Sequence, residues 1–224
     1  MAFTDHNVDA DADAARTIRA LGFRIVPVTV VGDRGVQGYD VAALRDLVGL
    51  SADAKGALPP DELLEKYRLV FRAAQRAVLQ IPELDLDWTT PGRRRTLRQL
   101  TWHIFDRAED FIRVVDGGEF TADMVDDYMS RSNLCRTSAD IAAYGEQVLT
   151  KVEELITHRR EWLDRPVETY FGTSSVYDLL TRALSMAAFR LEGTYGYMRM
   201  IGVEPSSPLG PDDYAGIAIP SGTP

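Results

Sequence analysis

The sequence predicts an α+β chain, mainly α: a small βαββα unit over residues 1–50, then a four-helix bundle over 61–202. Three observations carry this. The run RIVPVTVV, Arg24 to Val31, is rich in β-branched residues and bracketed by Gly22 and Gly32, as a strand between turns is. After residue 60, apolar residues recur at helical spacing in four separate segments. Between the two regions lies SADAKGALPP, Ser51 to Pro60, which is small, polar and proline-ended and reads as a linker.

In the first unit, Ala2 to Val8 is expected as a short strand. Asp9, Asp11 and Asp13 offer a cap and first-turn charges to a helix from Ala14 to Leu21, closed by Gly22. Pro27 lies inside the next strand; without an N–H it belongs at an edge, at a bulge or in a cis turn. Gly32-Asp33 turns the chain into a strand from Gly35 to Gly38, and Asp40 caps a helix from Val41 to Val48.

In the second region, Leu63, Leu64, Tyr67, Val70, Ala74, Ala77 and Ile81 form the stripe of a first helix ending at Pro82. The second helix is TLRQLTWHIFDRAEDFIRVV, Thr96 to Val115, stopped by Gly117-Gly118. At about 100° per residue, Leu97, Leu100, Ile104, Ala108, Phe111 and Val115 share one arc. His103 falls at the edge of that arc, between Asp110 and Val114. A pocket-lining or metal-binding histidine sits there, and so does a half-packed structural one. Glu119 to Thr137 is a long connection with a short helix around Ala122 to Met129. Ser138 caps a third helix, running to about Leu163, with Ile141, Tyr144, Val148, Val152, Leu155 and Ile156 on its face. Thr173 to Ser175 opens a fourth that runs to Ile201 and closes at Gly202. Short loops and one long crossover describe a four-helix bundle. The tail, Val203 to Pro224, is proline-rich and is expected to lie extended on the surface or against a partner chain.

Charge narrows the partners. With 25 Lys and Arg against 34 Asp and Glu the net charge is −9, which argues against nucleic acid and against an anionic membrane surface. No run of apolar residues is long enough to span a bilayer, so a soluble, cytoplasmic protein is expected. The only cysteine, Cys135, excludes an internal disulfide and any CxxC motif. As a nucleophile it lacks a histidine nearby in sequence, and a lone cysteine is more often a small buried hydrophobe. His158 complements the dipole at the end of helix three, and His6 is uninformative.

The helix ending ALGF, the strand VPVTVVGD and the hairpin into GYD before a helix resemble the second half of a glutaredoxin. In that family the proline is cis, and its neighbours bind the backbone of glutathione or a similar thiol. The glycine-acid element at the start of the last helix binds the far end of the same ligand. The resemblance therefore assigns thiol binding to Val26 and Pro27 and to Gly38, Tyr39 and Asp40. The first strand, first helix and CxxC of a glutaredoxin are absent, so disulfide exchange is excluded. The missing strand leaves a raw edge at VPVTVV that Phe3 to Val8, the rest of the chain, or a second copy in a homodimer would cover. The unit is then either a thiol site or an interface.

Residues 60–205 resemble the DinB superfamily, which includes metal-dependent thiol transferases and the mycothiol-dependent maleylpyruvate isomerase. The helix spacing, the TWHIFDRAEDF element and the ending YGYMRMIGVEP carry the likeness. That family's usual metal site has one histidine in helix two and two ligands four apart in helix four. His103 matches the first, and the other two positions fall near Met186 and Arg190. Neither is a plausible ligand for zinc or nickel, so a metal is not expected.

Arg190 instead lies on the core-facing stripe of helix four, with Ala183, Ala187, Thr194 and Ile201. A buried guanidinium requires a carboxylate, from Asp106 or Asp110 on helix two or from a ligand. Two readings stand: Arg190 binds a ligand carboxylate with His103 as hydrogen-bond partner or general acid/base, or His103, an aspartate and Arg190 form a structural network. Tyr67, Tyr195 and Tyr197 are candidates to line the same space. The two resemblances together imply a transferase, lyase or isomerase that uses a low-molecular-weight thiol on a small anionic electrophile, without metal. The alternative is a non-catalytic ligand-binding or scaffold protein that dimerises through the half-glutaredoxin unit.

Overall fold

The computed structural model describes residues 3–23, 26–37, 41–49, 58–91, 95–115, 117–126 and 128–219. The chain is α+β and mostly helical, with two small antiparallel sheets of two strands each among the described residues. It divides into two compact units: residues 1–55 with 169–174, and residues 56–168 with 175–224.

In the first unit, helix α1 spans Ala12–Ala20 and is capped by Asp11, whose carboxylate accepts from the N–H groups of Asp13 and Ala14. Strand β1, Val28–Val31, pairs antiparallel with β2, Arg34–Gln37, in the register Val28 to Gln37 and Val31 to Arg34. The turn falls at Gly32, whose φ of +62° suits glycine. Helix α2 covers Val41–Leu47. The Val26–Pro27 peptide is cis.

Phe3 to Val8 is not a strand. The segment runs irregularly into a turn built on Asn7. The Asn7 carbonyl accepts from the N–H groups of Ala10 (3.0 Å) and Asp11 (2.8 Å), and its side-chain Oδ1 accepts from the backbone N–H of Asp9 (3.0 Å). This Asx turn diverts the chain before a ladder can form.

In the second unit, α3 (Pro60–Val78) packs against α8 (Ser138–His158) and α9 (Val176–Met200). The expected second helix is two: α4 (Leu97–Trp102) and α5 (Asp106–Val114), both packed on α8 and α9. The break at residues 103–105 has a local cause. The N–H groups of Ile104 and Phe105 bond three residues back, to Thr101 (3.2 Å) and Trp102 (3.1 Å). Thr101 Oγ1 donates to the Leu97 carbonyl at 2.7 Å, a back-bond that bends helices. The break drives Phe105 into the core, edge-on to Phe71 at 5.1 Å and against Gly145 of α8. The whole expected arc from Leu97 to Val115 is buried across it.

Further details depart from expectation. Two short helices, α6 (Ala122–Asp126) and α7 (Tyr128–Ser132), occupy the long connection. Thr137, not Ser138, caps α8, in a reciprocal box with Asp140; the Ser138 hydroxyl donates instead to the Ile81 carbonyl at 2.8 Å. A hairpin, β3 (Pro166–Thr169) and β4 (Gly172–Ser175), precedes α9 where no strands were expected. The tail is anchored on its own chain: a 3-10 turn at Pro211–Tyr214 buries Tyr214, and Lys66 Nζ donates to the Asp213 carbonyl at 2.8 Å. Among the described residues, no helix is long and apolar enough to cross a membrane.

Candidate functional site

The helix break sets the chemistry of the second unit. His103 terminates α4 and is 4% exposed, so its ring nitrogens find partners inside the protein. Nδ1 lies 2.7 Å from Asp106 Oδ1, one turn along. Nε2 lies 2.8 Å from Arg190 Nη2, and Arg190 Nη1 donates to the His103 carbonyl at 3.1 Å. A guanidinium has only donors, so Nε2 accepts and the ring proton is on Nδ1, donated to Asp106. Burial first, and then the Arg190 charge, push the His103 pKa down to about 4, so the ring is neutral at pH 7.

The carboxylates behind it are answered from α7 and α5. Asp106 and Asp110 are both fully buried. Arg131 Nη2 donates to Asp110 Oδ2 (3.1 Å), its Nη1 forms an ion pair with Asp110 Oδ1 (2.9 Å), and its Nη2 stands 3.8 Å from Asp106 Oδ2. Arg107 approaches Asp110 at 3.4 Å. Arg131 also lies over the Trp102 ring at 5.2 Å, and Tyr144 of α8 stacks on that ring at 5.0 Å. Burial raises the Asp110 pKa, against the lowering pull of Arg131. A continuous polar chain therefore runs Arg107–Asp110–Arg131–Asp106–His103–Arg190.

No family model matches the chain, and no curated protein matches it. The site is therefore judged on its own geometry.

The donor set does not fit a divalent cation. The Nε2 lone pair of His103 points at a guanidinium, and the other two candidate positions are Met186 and Arg190. Among the described residues, no group of three or more His, Cys, Asp or Glu is placed to hold a metal ion.

The structure brings His103, Asp106 and Arg190 into direct contact, with Asp110 one link further on. Met186, Arg190 and Tyr197 line a cavity of about 50 Å³, and Tyr197 packs at 6.3 Å from the Trp88 ring. Tyr67 is elsewhere: fully buried in the core, with its hydroxyl donating to the Leu180 carbonyl at 2.6 Å. The Tyr195 hydroxyl accepts from the Leu209 N–H at 3.3 Å and holds the tail. Cys135 is half-buried, and burial raises its thiol pKa, the opposite of an activated nucleophile.

In the first unit, Val26 and Pro27 line a separate cavity of about 720 Å³. Its walls include Val28 and Val30 of β1, Ala14 and Ile18 of α1, and Asp5, Asp9, Asp11 and Asp13. His6, also in the wall, lies 2.8 Å from Asp11 Oδ2. The thiol-binding assignment of Gly38, Tyr39 and Asp40 lies outside the described residues.

Sequence reasoning missed Arg107 and Arg131 as partners of the buried aspartates, and Arg95 as a residue lining the same cavity as Arg190. A signal was present: two aspartates one turn apart beside a core histidine demand cations, and RSNLC supplies one.

Proposed function

We propose that the protein binds a low-molecular-weight thiol in its first unit and uses it as a metal-free transferase, lyase or isomerase on a small anionic electrophile. The observation that supports this is the 720 Å³ cavity, a volume typical of small-molecule sites, bounded by Val26 and Pro27, to which the glutaredoxin resemblance assigns the thiol. The DinB-like helices supply the second element, a guanidinium at Arg190 for the substrate's negative charge.

The four aspartates in the cavity wall choose among thiols. Glutathione and bacillithiol carry carboxylates that these side chains repel, whereas mycothiol is uncharged and presents hydroxyls for them to accept from. The expected order of affinity is mycothiol above glutathione and bacillithiol. A thermal-shift titration with the three thiols tests this, with Val26→Trp as the variant that fills space in the cavity beside Pro27. A stabilisation by mycothiol that Val26→Trp removes supports the proposal. If none of the three thiols raises the melting temperature, it is refuted.

One observation favours the second reading, a non-catalytic binding or scaffold protein. His103 Nε2, the atom a general base would use, is engaged by Arg190. Under that reading a thiol binds or a dimer forms, and mixing thiol with small electrophilic acids gives no turnover above the uncatalysed rate.

A further inference from the structure

We propose that the outer edge of β1 takes up an extended, lysine- or arginine-bearing segment of another protein as a third strand of the β1–β2 sheet. This goes beyond the thiol reading: the thiol is assigned to Val26 and Pro27, the strand to the edge at Val28 and Val30.

The hairpin fixes which groups face outward. Val31 and Arg34 flank a two-residue turn, so they form the hydrogen-bonded closing pair, and Thr29 with Val36 forms the next. Val28 and Val30 stand opposite Gln37 and Gly35, at the alternate positions that exchange no bonds across the hairpin. Their N–H and C=O groups therefore point away from β2. Among the described residues, no backbone group outside the hairpin bonds to either. The segment expected to pair there, Phe3 to Val8, turns away at Asn7 instead. An edge of this kind accepts a further strand through main-chain bonds that any extended segment supplies.

The same two valines line the cavity of about 720 Å³, together with Ala14 and Ile18 of α1. Successive side chains of a strand point to opposite sides, so apolar residues at alternate positions would meet this surface.

Charge selects the occupant. Asp5, Asp9, Asp11 and Asp13 line the cavity, and among the described residues no lysine or arginine does. Asp11 is taken up by the α1 cap and by His6, and Asp13 pairs with Arg16. Asp5 and Asp9 pair with no cation among the described residues, which leaves them for a basic partner. A second copy of the chain, paired β1 to β1 about a two-fold axis, would bring the acidic wall against itself.

The test is fluorescence anisotropy of a labelled hexapeptide of alternating valine and lysine, titrated with the full chain. Saturable binding is expected. The double variant Asp5→Asn, Asp9→Asn is expected to weaken it about tenfold, and Val30→Pro about tenfold or more, because proline deletes an outward N–H and leaves the β2 ladder alone. The same peptide N-methylated throughout keeps its charges but loses its donors, and is expected not to bind. No saturable binding, equal binding of the two peptides, or a double variant that binds as tightly as the parent overturns the proposal. A dimer in sedimentation that Val30→Pro dissolves gives the edge to a second copy and overturns it as well. Binding of the lysine peptide by a protein that no thiol stabilises keeps this proposal and removes the thiol reading; the reverse result does the opposite.

Discussion

Acidification is the perturbation that interrogates the buried histidine most directly. In the unfolded chain His103 titrates near 6.5, and in the folded protein near 4, because burial and Arg190 both disfavour the imidazolium. Between those values the unfolded state binds a proton that the folded state does not. Stability is therefore fully present above pH 6.5 and is lost as pH falls toward 4. The full displacement corresponds to on the order of 3 kcal/mol at 1.36 kcal/mol per pKa unit, of which about 2 kcal/mol falls between pH 7 and pH 5. Asp110 acts with the opposite sign: its raised pKa makes folding relatively more favourable at low pH, which offsets part of the loss. The assay is urea unfolding at pH 7 and pH 5 for the parent and for His103→Gln. Gln keeps a hydrogen-bonding side chain without titrating here. The variant is expected to be less stable at pH 7 but to lose about 2 kcal/mol less than the parent on going to pH 5. Equal losses in the two proteins would refute the neutral, Nδ1-protonated assignment.

Two other perturbations test the packing around the site. Arg131→Met leaves Asp106 and Asp110 buried without their shared cation, and a loss of about 3 kcal/mol or more is expected from denaturant unfolding, shrinking at acid pH as Asp110, whose pKa burial already raises, takes a proton. Gly145→Ala places a methyl group 2.7 Å from the Phe105 ring, itself fully buried beside the helix break; a drop of about 1–3 kcal/mol is expected, and no change would mean that α8 and Phe105 separate freely.

How far the sequence reached is best seen at three places. The stripe from Leu63 to Ile81 is buried as its periodicity implied, because a regular helix against one core obeys a 3.6-residue period. The break at 103–105 left no trace in periodicity, since Leu97 to Val115 keep their spacing across it and the cause lies in three-residue hydrogen bonds. The hairpin at Pro166–Ser175 was missed for a different reason: strands of four residues alternate too briefly to stand out. In the site, the contact between His103 and Arg190 followed from placing both on facing stripes. That the guanidinium would take the imidazole nitrogen, and that Arg131 would answer both aspartates, did not.

What the sequence determined by itself was local: the α+β, mainly helical class, the acidic charge balance, the caps and stripes, and an arginine on a core-facing position that had to be neutralised. Local rules suffice for these because they depend on neighbours a few residues away. Tertiary structure decided the rest. It turned one expected helix into two, set a guanidinium on the lone pair of a buried histidine, and closed a polar chain through α7 across 24 further residues from Arg107 to Arg131. Those outcomes depend on which groups meet once water is excluded. His103, edge of a stripe in the sequence, is in the folded protein a neutral link between Asp106 and Arg190.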